Sequence, residues 1–458
     1  MADLSRRGFL AAAGAGVLGT IAAWPRLTAS DIPGRNEDAL RVAILGTAQD
    51  AEGRATIVKE FNKLHPDIPV RVQGIQGADW SQFFAKILTL VAAGTPPDVC
   101  YVATEGVQLF ADRLGTPLDT YVTRDKAVMQ EYFSDVHASL IEAAMYEGSL
   151  FQIPIDFNAA NVYYNTSAFQ KAGLQRPADD WSKDDFHTAA RAIKDSGGDT
   201  RAFFWNNRLW GGVVPWLYIN DTSFLTEKKA PGGRWMWDTF YGNDPASAQR
   251  GGGYRWREPN TDDPRVLESF EFLRQLVAED LASSPAQGGG NELVGLFSSG
   301  RIGMTPAGGY WCQGLSEGGM GPNDFDVAYF PKWRSQRHQF GAAGYMTLKT
   351  SERKDQAWEW IKFNASKQAM QLALPVPATT PTRRSMVNEA FYSKTGPKHW
   401  QVFYDTLDRF PTTGPIPAPP QQAAVETALI KNVTEAVTGN PKLALSRLGR
   451  DLETALKD

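Results

Sequence analysis

Histidine, cysteine and carboxylate side chains carry most enzymatic and metal chemistry, and here none is spaced for it. The five histidines, His65, His137, His187, His338 and His399, are scattered. None stands at metal-ligand spacing from another. The zinc-protease, paired-cysteine, nucleophile-elbow, phosphate-loop and calcium-loop patterns are all missing. No metal, cofactor or catalytic residue is expected from these patterns. Two carboxylates acting across a cleft leave no sequence signature, so a glycan-cleaving enzyme stays open on this ground alone. The polar pair Asp156 and Asn158 lies just after Pro154, between two strand-like runs. Proline cannot donate to a strand ladder, so it marks a strand start or edge. That combination points to a crossing between two lobes.

The elements around this pair alternate. Arg41–Leu45, Val70–Val72 and Asp98–Val102 read as strands. Between them, residues 51–64 carry Ile57, Val58, Phe61 and Leu64 on one helical face, and residues 81–93 carry Phe84, Ile87, Leu88 and Val91. Strand–helix–strand order implies a parallel sheet covered by helices, with ligands at the carboxyl ends of the strands. This places Gly46–Gln49 and Ala103–Glu105 at a candidate site. Ser182 and Asp185 form a helix-starting pair, and Asp263-Pro264 opens an amphipathic helix through Leu267, Phe270, Leu273 and Leu276. Residues 203–257 are irregular, glycine-punctuated and hold six of the 14 tryptophans. Further strands are expected at Arg301–Thr305, Asp326–Pro331 and Met346–Leu348. Five prolines make residues 411–420 extended.

The 458 residues exceed what one core usually serves, and hydrophobic and charged fractions of 42% and 21% are those of a globular chain. A formal net charge of −4 gives no basic excess for a phosphate backbone, so no nucleic-acid partner is expected. Ser5-Arg6-Arg7-Gly8-Phe9-Leu10, an Ala/Gly-rich stretch to Trp24 and the small residues Thr28-Ala29-Ser30 read as a twin-arginine signal peptide over residues 1–30. Its apolar run is short for a membrane span. The mature protein is therefore expected in the periplasm. Cys100 and Cys312 are the two cysteines. A disulfide and two buried thiols are equally compatible with an exported chain.

From about residue 40 onward the chain resembles the family 1 extracellular solute-binding proteins of ABC importers, the maltose/maltodextrin-binding type. The resemblance rests on segments in the right order: Ala92–Val99, Pro154 through Tyr164-Asn165, Lys171–Leu174 with Trp181 and Phe186, Phe297–Met304, Gly344–Leu348 with Trp358 and Phe363, and Pro381–Arg383. It implies an α/β, two-lobe periplasmic-binding-protein fold of type II with three interlobe crossings. The expected division is 38–154 and 305–342 in the N-terminal lobe, and 155–304 and 343–458 in the C-terminal lobe. It further implies a monomer that captures a carbohydrate in the cleft and delivers it to the permease subunits, with no chemical step. The sequence departs from the family pattern at Asn158, where an acidic residue is frequent, and at Gly341–Gly344, which spreads out a glycine pair.

Sugars present hydroxyl edges and apolar faces, so their sites combine hydrogen-bonding side chains with flat rings. The candidate polar groups are Thr47, Gln49, Thr104, Asp156, Asn158 and Asn206. The candidate platforms are Trp80, Trp210, Tyr310 and Trp311, although each tryptophan is as readily a core residue. Gly309 and Gly344 would admit backbone close to a ligand. Arg383 would bind an anionic substituent or serve in an ion pair. The same fold binding an anionic small molecule, such as a glycerol phosphate or a sulfonated or uronic sugar, is the second reading.

Overall fold

The computed structural model describes residues 39–285, 290–373, 379–388, 392 and 395–457. The expected signal peptide lies outside them. The strands are β1 (Leu40–Leu45), β2 (Val70–Ile75), β3 (Val99–Ala103), β4 (Met145–Tyr146), β5 (Ser149–Leu150), β6 (Ile153–Ala159), β7 (Asn161–Asn165), β8 (Arg201–Phe203), β9 (Leu225–Lys229), β10 (Tyr254–Pro259), β11 (Ile302–Ala307), β12 (Phe325–Ala328), β13 (Gln339–Thr347), β14 (Thr380–Pro381) and β15 (Gly414–Pro415).

Two main sheets organise the molecule. The first runs β14-β6-β13-β3-β1-β2, with β15 paired to β13; the second runs β12-β7-β11-β8. The opening strands β1, β2 and β3 are parallel, as their alternation with helices requires. Helix Ala55–Leu64 buries Ile57 and Phe61. Leu64, expected on the same face, is 62% exposed because it sits at the end of that helix. Ser182 and Asp185 form the expected reciprocal cap, Ser182 Oγ accepting from Asp185 N at 3.1 Å. Both sheets face helices and buried aromatic residues. Trp216, for example, packs edge-on against Phe186, Phe203 and Phe330.

The chain passes from the first sheet to the second between β6 and β7, and returns between β12 and β13. A third passage leaves helices Lys354–Asn364 and Lys367–Ala373 and runs through β14 to the C-terminal helices. The strand pairing corrects the expected division at two places. Residues 305–338 do not join the N-terminal lobe, because β11 and β12 bond to β7 in the second sheet. Residues from 343 to helix Lys354–Asn364 stay with the first lobe. There β13 pairs with β3, and Trp360 packs on Phe61 and Tyr345. Uniformly buried strands carry no mark of which sheet they will join, which is why the expected division misplaced them.

The tryptophan-rich segment is an excursion of the second lobe. β9 and β10 pair antiparallel and enclose helix Arg234–Phe240. Its tip lies against the first lobe. Gly252 O accepts from Gly148 N at 2.9 Å, and a Cβ on Gly252 would stand 2.5 Å from the Gly148 Cα, so only glycine fits. Trp235 Nε1 donates to Gly148 O at 3.1 Å, and Tyr241 Oη to Val136 O at 3.0 Å. Glu142, 1% exposed, accepts from Lys229 Nζ at 2.8 Å, Arg250 Nη1 at 3.1 Å and Gly251 N at 2.8 Å. Removing one partner of a buried ionic group strands the others without compensation. Glu142→Ala is therefore expected to lower the unfolding free energy by about 3–5 kcal/mol, measured by urea denaturation. A loss below about 1 kcal/mol, typical of surface pairs, would contradict this assignment.

Candidate functional site

Successive side chains of a strand point to opposite faces. On β6 this buries Ile155, Phe157 and Ala159 and leaves Asp156 and Asn158 half-buried on the other face. Both therefore project from the crossing strand to the same side. Asp156 accepts a hydrogen bond from Tyr101 Oη of β3. Burial pushes the Asp156 carboxyl up to about 6, against the Tyr101 hydrogen bond and the nearby Arg54 charge, which favour the ionised form. Asn158 reaches toward the second lobe. Its Oδ1 accepts from Tyr310 N at 3.3 Å, and its Nδ2 donates to Thr379 Oγ1 at 2.9 Å. The turn before Tyr310 must be glycine at this distance. A Cβ on Gly308 would stand 2.6 Å from the Asn158 Cβ, and one on Gly309 2.5 Å from Thr380 Oγ1.

Aromatic rings flank the polar pair. On the first-lobe side, Trp80 opens helix Trp80–Ala92, half-buried, stacked on Phe84 at 6.0 Å and tilted to Tyr101 at 6.2 Å. On the second-lobe side, Trp210 meets Tyr310 edge-on at 5.5 Å. Trp210 sits in the kinked turn Leu209–Val213, where Gly211 has φ +67°. Arg208 lies over the Trp210 ring at 5.5 Å and donates to Tyr310 Oη at 3.2 Å. Glu105 starts the first-lobe helix Thr104–Arg113. Burial pushes its carboxyl up to about 7, with the Glu426 charge adding to the rise and Arg208 opposing it.

The structure sorts the expected site residues. Asp156, Asn158, Trp80, Trp210, Gly309 and Tyr310 come together. Thr47 lies on an exposed turn after β1, its hydroxyl taken up in capping by Asp50 at 2.8 Å, and Gln49 is exposed beside it. The Thr104 hydroxyl is buried against the Ala342 backbone of β13, at 2.6 Å from N and 2.8 Å from O. Asn206 is buried, its carbonyl accepting Arg208 N at 3.1 Å.

Three assignments are corrected. Trp311 is 1% exposed and packs on Tyr163 and Phe297, because helix Trp311–Glu317 turns it from the cleft into the core. Gly344 is inside the sheet, where a Cβ would meet Ile153 O at 2.0 Å. Arg383 is 2% exposed and donates to Ala365 O at 2.9 Å, with Glu131 and Asp135 at 3.4 and 3.5 Å. It is a structural ion pair.

Tyr101, Thr379, Ser81, Gln422 and Glu426 were not among the expected residues. Only Tyr101 had a readable signal, alternation along β3. Among the described residues no group of three histidine, cysteine, aspartate or glutamate side chains could hold a metal. Cys100 and Cys312 are free and buried. No helix among the described residues is long and apolar enough to cross a membrane.

Comparison with known proteins gives the same architecture. The family model for bacterial extracellular solute-binding proteins matches residues 47–371. A binding protein of Brucella abortus (strain 2308) is 22% identical over 312 residues, 67% of each chain. Among solved structures, an ABC substrate-binding protein of Listeria monocytogenes in complex with cycloalternan superposes with a TM-score of 0.73 at 20% identity, covering 92% of this chain and 99% of that one. An ABC transporter solute-binding protein of Thermotoga lettingae bound with alpha-D-tagatose gives 0.72 at 18% identity, covering 92% and 100%.

Glu105 sets a pH test. Its folded-state carboxyl titrates at about 7, above its ordinary range. Between the two values the folded protein keeps a proton that the unfolded chain releases. The glutamate's contribution is thus intact at low pH and is lost as pH rises toward 7. Glu105→Gln removes this dependence. Urea denaturation from pH 4.5 to 8 should show the variant gaining on the unmodified protein up to about pH 7 and then levelling. A pH-independent difference would contradict the burial of this carboxyl.

Proposed function

Because the chain belongs to the family of bacterial extracellular solute-binding proteins, we propose that it captures a carbohydrate between its two lobes and delivers it, chemically unchanged, to the permease of an ABC importer. The observation that carries this reading is the β6 face. Asp156 and Asn158 offer hydrogen-bonding groups at the crossing, and Trp80 with Tyr101 on one side and Tyr310, backed by the buried Trp210, on the other offer aromatic surface. A sugar ring asks for that pairing of polar edge and aromatic face. The ligands of the similar Listeria and Thermotoga proteins support it.

The charges favour a neutral sugar over an anionic ligand. Asp156 and Glu105 line this region, with the charges of Arg54 and Arg208 nearby. Burial raises both carboxyls, the Glu426 charge raises Glu105 further, and an added anion would add to that cost. Arg383, the arginine considered for an anionic substituent, is occupied elsewhere. Carboxylates and amides accept and donate to sugar hydroxyls without needing a ligand charge.

Capture follows from geometry. Side chains of both lobes meet at the crossing strands, so a ligand completes its contacts only with the lobes together. It therefore favours the closed arrangement by its differential affinity. The Arg6-Arg7 segment supports export by the twin-arginine route to the periplasm, and the protein acts as a monomer in this reading.

A thermal-shift screen of mono-, di- and trisaccharides tests the proposal. At least one should stabilise saturably, by about 2.7 kcal/mol at a hundredfold excess over Kd, and be recovered unaltered. Asn158→Ala and Trp210→Ala should each weaken that binding about 10- to 100-fold, the equivalent of one good polar or aromatic contact. Stabilisation by anionic ligands alone, or cleavage of the sugar, would overturn it.

A further inference from the structure

We propose that Ser81, Gln422 and Glu426 form a wall that ends the cleft and limits the length of the carbohydrate it accepts. This rests on the carbohydrate-binding reading above and names what that site selects. Ser81 stands in the first turn of helix Trp80–Ala92, which packs in the first lobe through Phe83, Phe84 and Ile87. Gln422 and Glu426 stand one turn apart on helix Gln422–Thr438, which packs on helices Pro264–Ala278 and Pro441–Ala455 in the second lobe. Across the gap, Ser81 Oγ donates to Glu426 Oε2. Gln422 Nε2 closes the triangle at 3.0 Å from Ser81 Oγ and 2.8 Å from Glu426 Oε2.

Hydrogen-bond contact between the lobes leaves no room for a ligand. A ring held between two surfaces needs a van der Waals contact on each side, about 7–8 Å in all, against the 3.0 Å seen here. The wall adjoins the sugar face, because Trp80 precedes Ser81 and the Leu209 N–H, next to Trp210, also points at the Glu426 carboxylate. It is also held in place. Asn207 Nδ2 ties the Trp210 segment to helix Gln422–Thr438 through Ile430 O at 2.8 Å and Thr434 Oγ1 at 3.2 Å. A sugar on the β6 face can grow toward this end only by breaking the triangle. Shortening Glu426 removes two bonds of the three, leaves the Gln422–Ser81 bond alone across the gap, and opens space beside it.

Isothermal titration of glucose, galactose and mannose, and of their di- and trisaccharides, against the full exported chain and its Glu426→Ala variant tests this. For the parent sugar bound best, the unmodified protein should lose at least tenfold in affinity at the first length the wall excludes. Glu426→Ala should recover at least tenfold at that length while changing the shorter sugar less than threefold. Ser81→Ala removes both bonds that span the lobes, to Glu426 and to Gln422; it should shift the preference in the same direction and serves if Glu426→Ala folds poorly. An unchanged length preference in both variants would overturn the wall. So would an equal loss for short and long sugars, which would make Glu426 a direct ligand contact. Absence of any carbohydrate binding by the unmodified protein would overturn the proposed function itself, and the wall with it, and is distinguished because it needs no variant.

Discussion

Everything in the site depends on how β6 and β13 lie side by side at the crossing. They pair antiparallel from Phe340 opposite Ala159 to Tyr345 opposite Ile153, but Ala343 faces Asp156 while the next residue, Gly344, faces Pro154. Ile155 is thus the extra residue of a bulge. A proline beside it loses no ladder bond, and Gly344 lets the two backbones approach. Bulges re-aim the side chains that follow them. Here the following alternation sends Asp156 toward the first lobe and Asn158 toward the second, from one face of one strand. The connection that joins the lobes is therefore also the floor on which both present their groups.

The surrounding chemistry follows from putting that floor between two cores. Burial moves Asp156 and Glu105 upward, to about 6 and about 7, so both sit where a proton is easily held or released. Such groups can accept from a hydroxyl or, when protonated, donate to one. Tyr101 bonds to Asp156, Arg208 bonds to Tyr310 with its charge near Glu105, and the rings of Trp80 and Trp210 flank these groups. The tryptophan-rich excursion adds rigidity at a distance. Its glycines allow it to lie directly on Gly148, and Glu142 pairs with both cations that descend with it, Lys229 and Arg250.

Much of this was legible in the sequence where a local rule settles the outcome. The opening strand–helix–strand order, the Ser182–Asp185 cap and the polar pair after Pro154 are local patterns, and each became the element expected. The neighbours Tyr310 and Trp311 show the limit. Both are aromatic, and only the direction in which a helix starts decides that the Tyr310 ring meets Trp210 while Trp311 enters the core. Gly344 and Arg383 were singled out for the right reason, close approach and charge, but tertiary partners absorbed both. Glu426 was invisible because its partner Ser81 is 345 residues away and its neighbours Val425 and Leu429 are core residues. Lobe membership of β11 and β13 was likewise a matter of long-range pairing.

The most direct test of the account is a crystal structure of the protein grown with the saccharide that binds it best. Density is expected between the lobes, within hydrogen-bonding distance of Asp156 and Asn158, with a ring against Trp210 or Tyr310. Density elsewhere would contradict it, for example in the open groove that Ala55, Val58 and Lys59 line beside β2, with the β6 face left bare.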